Sequence, residues 1–281
     1  MSAHQSGPSA TISGRPAFFA TPWERRWVQL VVAILIDVAI VYVLWQVLTT
    51  VGVLPERFFP DANSVVRRVW TLLQVSLFWV ALGNTMESWA AGLVLSGAAG
   101  TMAGILLGSS DRAYRFCRVV IELLRPIPPI VILPLALLAL GVTLQFKVLL
   151  ILQGTFWVVL LQAAYGVRGV DRVMLETAQS YGMSKMRRFF HIQLPGSLPY
   201  IATGIRIAAI FALIVSIVAE LVGGAPGLGN QILKAMSAGD SRTMYALILL
   251  TGLLGVLITA TFSWLEKRVL FWHPAYRPET R

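Results

Sequence analysis

Long apolar runs alternate with short polar segments along most of the chain. A helix needs about 20 residues to cross a hydrocarbon layer of about 30 Å, and several of the runs are close to that length. The pattern predicts six spans, at residues 28–48, 82–108, 125–141, 148–166, 198–221 and 244–264. The sequence therefore predicts an all-α membrane protein with six transmembrane helices.

The second predicted span carries small residues at every fourth position: Ser96, Gly100, Gly104 and Gly108. Small residues at this spacing let two helix backbones approach closely in lipid. We expect this face to pack against another helix of the same chain. A contact between two copies of the chain is the alternative.

The third predicted span is short and rich in proline, including Pro128, Pro129 and Pro134. Proline frees backbone carbonyls and bends a helix, which a membrane tolerates where neighbouring helices or a cavity satisfy the freed groups. We therefore expect this span to line a translocation pathway. Arg206 and Glu220, in the fifth span, are also candidates for the pathway or its gate because ionisable groups within spans are usually functional. For Arg206 the alternative is a side chain that reaches the membrane surface.

Two further segments are amphipathic and too polar to cross a membrane. Residues 61–74 predict a capped helix that lies on the membrane surface, with an apolar stripe along one side and Arg67 and Arg68 on the other. Residues 111–125 place Arg115, Arg118 and Glu122 at helical spacing, which predicts a charged stripe at a membrane surface.

Composition supports a multispanning membrane protein. Of 281 residues, 57% are hydrophobic and 13% charged, and the mean hydropathy is +0.73. The formal charge of +10 does not indicate nucleic acid binding, because the basic residues are spread through loops between apolar runs. The one cysteine, Cys117, excludes an internal disulfide and is interpreted as a small packing residue.

The distribution of basic residues predicts the orientation of the chain. With the amino terminus inside, only six of the 23 lysines and arginines fall in outer segments, and Arg206 lies within a span. The six are Arg57, Arg67, Arg68, Lys147, Lys234 and Arg242. Since inner loops carry the excess of Lys and Arg, both termini and the loop at residues 171–195 are expected in the cytoplasm.

We call this segment the 171–195 loop. Its sequence predicts a helix, a sharp turn and a second helix. Gly182 ends the first helix because glycine enters the left-handed conformation cheaply. Ser184 is positioned to cap the second helix, and Pro195 is expected to close the segment. In the second helix Met186, Phe189 and Phe190 lie opposite Lys185, Arg187 and Arg188.

The loop resembles the EAA loop of ATP-binding-cassette importer permeases. The matching positions are Glu176, Ala178, Gly182, Ile192, Leu194 and Pro195. Thr177 departs from the pattern, which has alanine there. The resemblance implies that the loop is a coupling helix docked in a groove of a cytoplasmic ATPase subunit, with Met186, Phe189 and Phe190 as contacts. A helix pair resting on lipid headgroups is the alternative. Glu176 would pair with a basic group of the ATPase or with Arg172 of its own loop.

Three other stretches resemble the branch of these permeases that serves alkanesulfonate, taurine and nitrate uptake: residues 124–141, 198–208 and 218–232. The resemblance implies a type I importer (MetI-like) permease fold with a second, identical permease subunit, two ATPase subunits and an extracytoplasmic binding protein. It implies a sulfonate, taurine or nitrate-like anion as substrate, with a pyrimidine precursor or riboflavin-like compound as alternatives. No cofactor and no catalytic residue are expected in this chain, since ATP and Mg would bind the partner ATPase.

The expected organisation is a disordered cytoplasmic tail (1–27), a first transmembrane helix with an external amphipathic helix (28–80), the permease domain (81–268) and a cytoplasmic tail (269–281). The expected location is the plasma (inner) membrane. An ion-coupled secondary transporter is the main rival class, but the proline-rich span has no counterpart in the other half of the chain. A channel subunit would need a recognisable filter. The three histidines are too far apart in sequence to suggest a membrane enzyme.

Overall fold

The computed structural model describes residues 22–55 and 58–271, and within these ranges the regular structure is helical. A π-helical segment, Phe189–Gln193, joins α8 to α9. The helices are α1 (Pro22–Thr50), α2 (Ala62–Leu73), α3 (Ser76–Gly108), α4 (Asp111–Leu124), α5 (Pro129–Leu140), α6 (Leu144–Arg168), α7 (Arg172–Ser180), α8 (Lys185–Arg188), α9 (Leu194–Gly223), α10 (Leu228–Ser237) and α11 (Ser241–Val269).

Helix α1 forms a unit of its own, and the boundary to the second unit falls between residues 56 and 57. The helix begins at Pro22, inside the tail predicted for residues 1–27. The rest of that predicted tail, residues 1–21, lies outside the described residues, as do residues 272–281 of the carboxy-terminal tail. Helix α2, grouped with the first span in the sequence analysis, belongs to the second unit.

Within the described residues, five helices are long and apolar enough to cross a membrane, and the bent pair α4 and α5 makes a sixth candidate span. The axes of α4 and α5 differ by 83°. Helix α5 has 12 residues, so at 1.5 Å per residue it is about 18 Å long and cannot span about 30 Å of hydrocarbon alone. The predicted all-α membrane fold is confirmed, with the third predicted span present as one arm of a broken pair.

The contact between α3 and α6 depends on small residues. A Cβ atom added to Gly100 would lie 3.0 Å from the Phe156 carbonyl oxygen, and one added to Gly104 would overlap the backbone of Leu160. Ser96 is fully buried in the same contact face. The predicted small-residue face is therefore an internal helix contact, because it lets the backbone of α3 approach that of α6.

Helix α9 packs against both α6 and α3, through alanines and one hydrogen bond from an indole ring. Ala208, Ala209 and Ala212 are fully buried. Trp89 of α3 donates its indole N–H to the Ala209 carbonyl at 2.8 Å, which satisfies a polar group in an apolar core. Helices α3, α6 and α9 thus form the core on which the shorter helices are placed.

Helix α2, predicted to lie on the membrane surface, is held to the rest of the second unit by side-chain contacts. Asp61 caps it by accepting from the Ser64 N–H at 2.9 Å, as the sequence predicts. Val65 is fully buried, and Arg68 Nε donates to Thr243 Oγ1 of α11 at 2.7 Å. The helix therefore packs against the start of α11, and only its outer face, including Trp70, is exposed.

Candidate functional site

The turn of the 171–195 loop has the backbone geometry that the sequence predicts. Asp171 caps α7 by accepting from the Val173 N–H at 2.8 Å. Gly182 has φ 77°, and the Met183 N–H donates to the Ala178 carbonyl at 3.0 Å, closing the end of α7. A Cβ atom at Gly182 would meet nothing within 4 Å, so the need for glycine comes from the backbone conformation alone.

The second half of the loop differs from its predicted form. Ser184 caps α8 by accepting from the Arg187 N–H at 3.4 Å, but α8 has only four residues and continues through the π-helical segment into α9. The expectation that Pro195 closes the loop is wrong, because Pro195 lies in the first turn of α9. Ile192 lies in the π-helical segment, and Leu194 begins α9.

Charged side chains hold the two arms of the loop together. Arg188 donates to the Gln179 side-chain oxygen at 2.7 Å and to the Leu175 carbonyl at 3.3 Å, joining α8 to α7. Glu176 pairs with Arg172 at 2.8 Å, which is the in-loop alternative stated above. Its side chain is still 63% exposed, so the carboxylate remains accessible to another group. Of its neighbours, Thr177 is exposed and Ala178 is buried.

Large apolar side chains are exposed on this otherwise polar loop. Tyr181 is 85% exposed, Met186 69% and Phe190 53%. Phe189 is partly buried, with its ring packed edge-on to that of Phe190 at 5.1 Å between centroids. A cavity of about 690 Å³ separates this part of the loop from the end of α3. Such an exposed apolar cluster in a polar surround is typical of a protein-binding surface.

A buried ion pair, which sequence reasoning missed, lies at the other end of α9. Lys147 Nζ is 3.1 Å from Glu220 Oε1, and the two side chains are 4% and 0% exposed. Lys147 also donates to the carbonyls of Asn84 and Pro226 at 2.8 and 2.9 Å. Glu220 accepts from Thr85 Oγ1 at 3.0 Å, so both charges are paired and hydrogen-bonded as burial requires.

The same cluster fixes the glycine-rich segment that precedes α10. Glu220 Oε2 accepts from the Gly229 N–H at 3.0 Å, and Thr85 Oγ1 accepts from the Leu228 N–H at 2.9 Å. A Cβ atom added to Gly227 would overlap the Glu220 carboxylate, so this glycine is needed for space. Glu220, a predicted pathway candidate, thus joins α3, α6, α9 and α10 in the interior of the chain.

Arg206, the other charged pathway candidate, is also paired. Its Nη1 is 3.2 Å from Glu266 Oε2, and Thr203 donates to the same carboxylate at 3.0 Å. The Glu266 side chain is 3% exposed, whereas that of Arg206 is 35% exposed. The pair connects α9 to α11 near the 171–195 loop end of both helices.

The proline-rich segment forms the start and middle of α5. Pro128 caps the helix, Pro129 occupies its first turn and Pro134 lies inside it. Pro129 packs against α6 at Gly154, where an added Cβ would lie 2.9 Å from the proline ring. Pro134 is exposed, and Leu138 on the same helix is 88% exposed. One face of α5 thus packs on α6, and among the described residues nothing covers the opposite face at Pro134 and Leu138.

Residues 96–271 match the family described as binding-protein-dependent transport system inner membrane component. A protein of Escherichia coli named as an aliphatic sulfonates transport permease, SsuC, is 33% identical over 259 residues, which cover 92% of this chain and 97% of the relative. The taurine transport system permease protein TauC of the same species is 28% identical over 84% of this chain and 87% of its own length. The nitrate import permease protein NrtB of Leptolyngbya laminosa is 27% identical over 74% of this chain and 77% of its own length.

Solved structures of two transporters share the fold. An inward-facing structure of the MetNI methionine ABC transporter superposes with a TM-score of 0.59 at 20% identity, covering 68% of this chain and 96% of the matched chain. A bacterial alginate ABC transporter, crystallised with a periplasmic protein bound to an alginate pentasaccharide, gives a TM-score of 0.55 at 15% identity over 88% of this chain and 96% of the matched chain.

Proposed function

Because the chain belongs to the family of binding-protein-dependent transport system inner membrane components, we propose that it conducts a small anion across the plasma membrane in a complex powered by a separate ATPase. The chain is a permease component of an ABC importer. The observation that carries the rest of the proposal is the exposed apolar cluster on the 171–195 loop.

We propose that this cluster docks an ATPase subunit. Tyr181, Met186 and Phe190 offer apolar contact area, and the Arg188 bonds keep α7 and α8 in a fixed arrangement. A preformed surface loses little conformational entropy on binding. Glu176, exposed beside Arg172, adds a carboxylate that a basic group of the ATPase would contact. The ATP and Mg would bind that subunit.

The remaining parts of the assembly follow from the family and the charge distribution. We propose two permease subunits of this kind, two ATPase subunits and an extracytoplasmic binding protein. The excess of basic residues in the loops on the side of the 171–195 loop supports a cytoplasmic position for that loop and for both termini. The lipid bilayer is the remaining partner.

The free face of α5 is proposed to line the pathway between the two permease subunits. Pro134 and Leu138 lie on that face, while Pro128 and Pro129 set the bend that brings it into place. Arg206 and Glu220 have partners inside the chain, Glu266 and Lys147, and their contacts favour a role in fixing helices over a direct contact with substrate.

The substrate is proposed to be a small sulfonate. The support is the identity of 33% to a permease whose name specifies aliphatic sulfonates and of 28% to one whose name specifies taurine. Competition separates this choice from its alternatives: ethanesulfonate and taurine should reduce uptake of a labelled alkanesulfonate by the intact transporter, and nitrate, riboflavin or a pyrimidine precursor should not. Strong competition by nitrate, without competition by ethanesulfonate or taurine, would indicate that the substrate is a nitrate-like anion.

The docking proposal is tested by replacing Gly182 with valine. A β-branched side chain is strained at φ 77°, so the turn must open and displace Met186 and Phe190 from their positions. Gly239→Val is the matched control, because Gly239 also has a positive φ of 69° and open space for a side chain but lies at the start of α11. We expect Gly182→Val to lose the ATPase subunit on purification in mild detergent and Gly239→Val to retain it.

Equal retention of the ATPase by both variants would contradict the docking role of the turn. Met186→Glu is a second variant that leaves the backbone unchanged. It places a charge in the apolar cluster and should weaken co-purification without lowering the amount of the chain in the membrane. Loss of membrane abundance alone, with normal ATPase recovery per chain, would assign these residues to stability.

A further inference from the structure

Helix α4 has three distinct faces. Tyr114, Cys117 and Ile121 face the core, where Cys117 and Ile121 belong to a cluster with residues of α3 and α6. A second face is apolar and exposed, with Phe116 at 84% and Leu123 at 69% exposure. The third carries the charges Arg115, Arg118, Glu122 and Arg125. An amphipathic helix with this division is typical of the boundary between the apolar membrane and its headgroups.

A cavity of about 390 Å³ opens between the charged face of α4 and helix α6. The residues that give it its chemistry are Tyr114, Arg118, Glu122 and Arg125 on the α4 side and Leu161 and Tyr165 on α6. Two guanidinium groups and one carboxylate leave a net charge of +1 at the cavity. The Tyr114 and Tyr165 hydroxyls interact with each other, and one hydroxyl of the pair stays able to donate to an outside oxygen.

The two arginines differ in how much of their hydrogen-bonding capacity is used. Arg118 Nε donates to Glu122 Oε1 at 2.7 Å, and a guanidinium has further N–H groups directed elsewhere. Arg125 makes no side-chain hydrogen bond or ion pair within residues 22–55 and 58–271. The neighbouring cation, Arg168, is held by Asp111 at 2.9 Å and lies 4.4 Å above the Tyr114 ring, which fixes that wall of the cavity.

We propose that this cavity binds the phosphate of an anionic phospholipid. Arginine forks match phosphate oxygens, and basic pockets between membrane helices at the cytoplasmic side suit acidic headgroups. The cavity takes one phosphate, because Glu122 repels a second negative charge. Pro126 lines the cavity and is exposed, as is its neighbour Ile127, so the cavity edge offers an apolar contact for acyl chains that a soluble anion would not use.

The test measures lipid binding to the purified full-length chain with its co-purified partners. Native mass spectrometry in detergent counts bound phosphatidylglycerol and phosphatidylcholine supplied at equal concentration. We expect a clear preference for phosphatidylglycerol that falls about tenfold in Arg125→Gln, the loss of one charge-assisted contact. Tyr165→Phe should lower it less, because its hydroxyl is a neutral donor.

Arg115→Gln is the matched control. It removes the same charge from the same helix, but Arg115 does not line the cavity. We expect less than a twofold change in phosphatidylglycerol binding for this variant, with circular dichroism and size-exclusion profiles unchanged for both arginine variants. Arg125→Lys, which keeps the charge and removes the fork, should fall between the wild type and Arg125→Gln.

Three results would overturn the proposal. Equal losses in Arg115→Gln and Arg125→Gln would show only diffuse attraction of the lipid to a basic helix. Equal binding of the two lipids would remove the preference for a headgroup with net negative charge. Displacement of bound phosphatidylglycerol by inorganic phosphate or ethanesulfonate at millimolar concentration would assign the cavity to a soluble oxyanion. None of these results would affect the docking of the ATPase at the 171–195 loop.

Discussion

At the scale of single residues, the Lys147–Glu220 ion pair fixes the positions of several helices from inside the chain. Both side chains are buried, and their ammonium and carboxylate groups are hydrogen-bonded to α3, α9 and the segment before α10. Taking two charges out of water is expensive, and such a pair persists only with close geometry and satisfied hydrogen bonds. Here those bonds fix the position of α10 relative to the core helices.

Removing the lysine alone should be strongly destabilising. Lys147→Met leaves the Glu220 carboxylate buried without its cation, at an expected cost of about 3–5 kcal/mol. Adding Glu220→Gln should restore much of this loss, because a neutral amide is cheaper to bury than an unpaired carboxylate. Heat or SDS unfolding in detergent measures both variants.

Lys234→Met is the control for this pair of variants, since Lys234 is exposed on α10 and should cost less than about 0.5 kcal/mol. If the double variant were no more stable than Lys147→Met, the two charges would not be energetically coupled. The geometry described above would then have no stabilising role.

At the scale of helices, α3 approaches α6 closely because Gly100 and Gly104 have no side chains at the contact. Gly104 leaves no room for a methyl group against the backbone of Leu160, whereas Gly97 on the same helix has nothing within 4 Å of an added Cβ. The same substitution therefore has opposite expected effects at the two positions.

Gly104→Ala should destabilise the chain by about 1–3 kcal/mol, because the helices must separate. Gly97→Ala should be neutral or stabilising by up to about 1 kcal/mol, since alanine favours the helix and meets no neighbour. Unfolding in detergent compares the two, and equal effects would contradict close backbone packing as the reason for the glycine.

The start of α11 makes a pH-dependent contact with α2. Burial acts to raise the pKa of Asp240, but hydrogen bonds from the Thr243 hydroxyl and N–H, with the charges of Arg68 and Arg242, outweigh it and lower that pKa. A carboxyl whose pKa is lower in the folded state stabilises the fold above its unfolded value of about 3.9. This stabilisation is lost as the pH falls through the folded pKa.

Asp240→Asn should therefore be less stable than the wild type near neutral pH, and the difference should shrink as the pH falls below the unfolded value of about 3.9 and through the lower folded pKa. Asparagine still caps a helix, so Asp240→Ala should cost about 1 kcal/mol more. Thermal unfolding between neutral and acidic pH measures both effects. A difference between wild type and Asp240→Asn that stays constant with pH would exclude the carboxylate as its cause.

Sequence patterns predict the elements that are determined by residues close together along the chain. Apolar run length predicts the long spans, small residues every fourth position predict the α3 face, and Gly182 with Ser184 predicts the turn of the 171–195 loop. These signals succeed because each depends on neighbours within a few residues along the chain.

Features that depend on distant partners were not predicted. Lys147 precedes an apolar run and was placed in an outer loop, yet its partner Glu220 lies 73 positions away and buries it in the first turn of α6. The bend between α4 and α5 and the continuation of α8 into α9 through Pro195 likewise depend on packing. Likewise, the residues around Arg206 do not indicate that its partner is Glu266, 60 positions later in the sequence.

At the scale of the whole molecule, transport requires that motion at the 171–195 loop reaches the free face of α5. The 171–195 loop would receive motion from an ATPase, and the core of α3, α6 and α9 would transmit it as a close-packed body to α5 and α10. Close packing transmits displacement because interiors have few voids and low compressibility. The energy for transport would then enter entirely through a protein partner.

The most direct test is uptake of labelled ethanesulfonate into vesicles that contain the complex purified through this chain, with the binding protein on the outside and nucleotide inside. The account predicts uptake that requires internal ATP, stops with Gly182→Val and continues with Gly239→Val. Uptake driven by an imposed ion gradient in vesicles that hold this chain alone, without ATP, would contradict it.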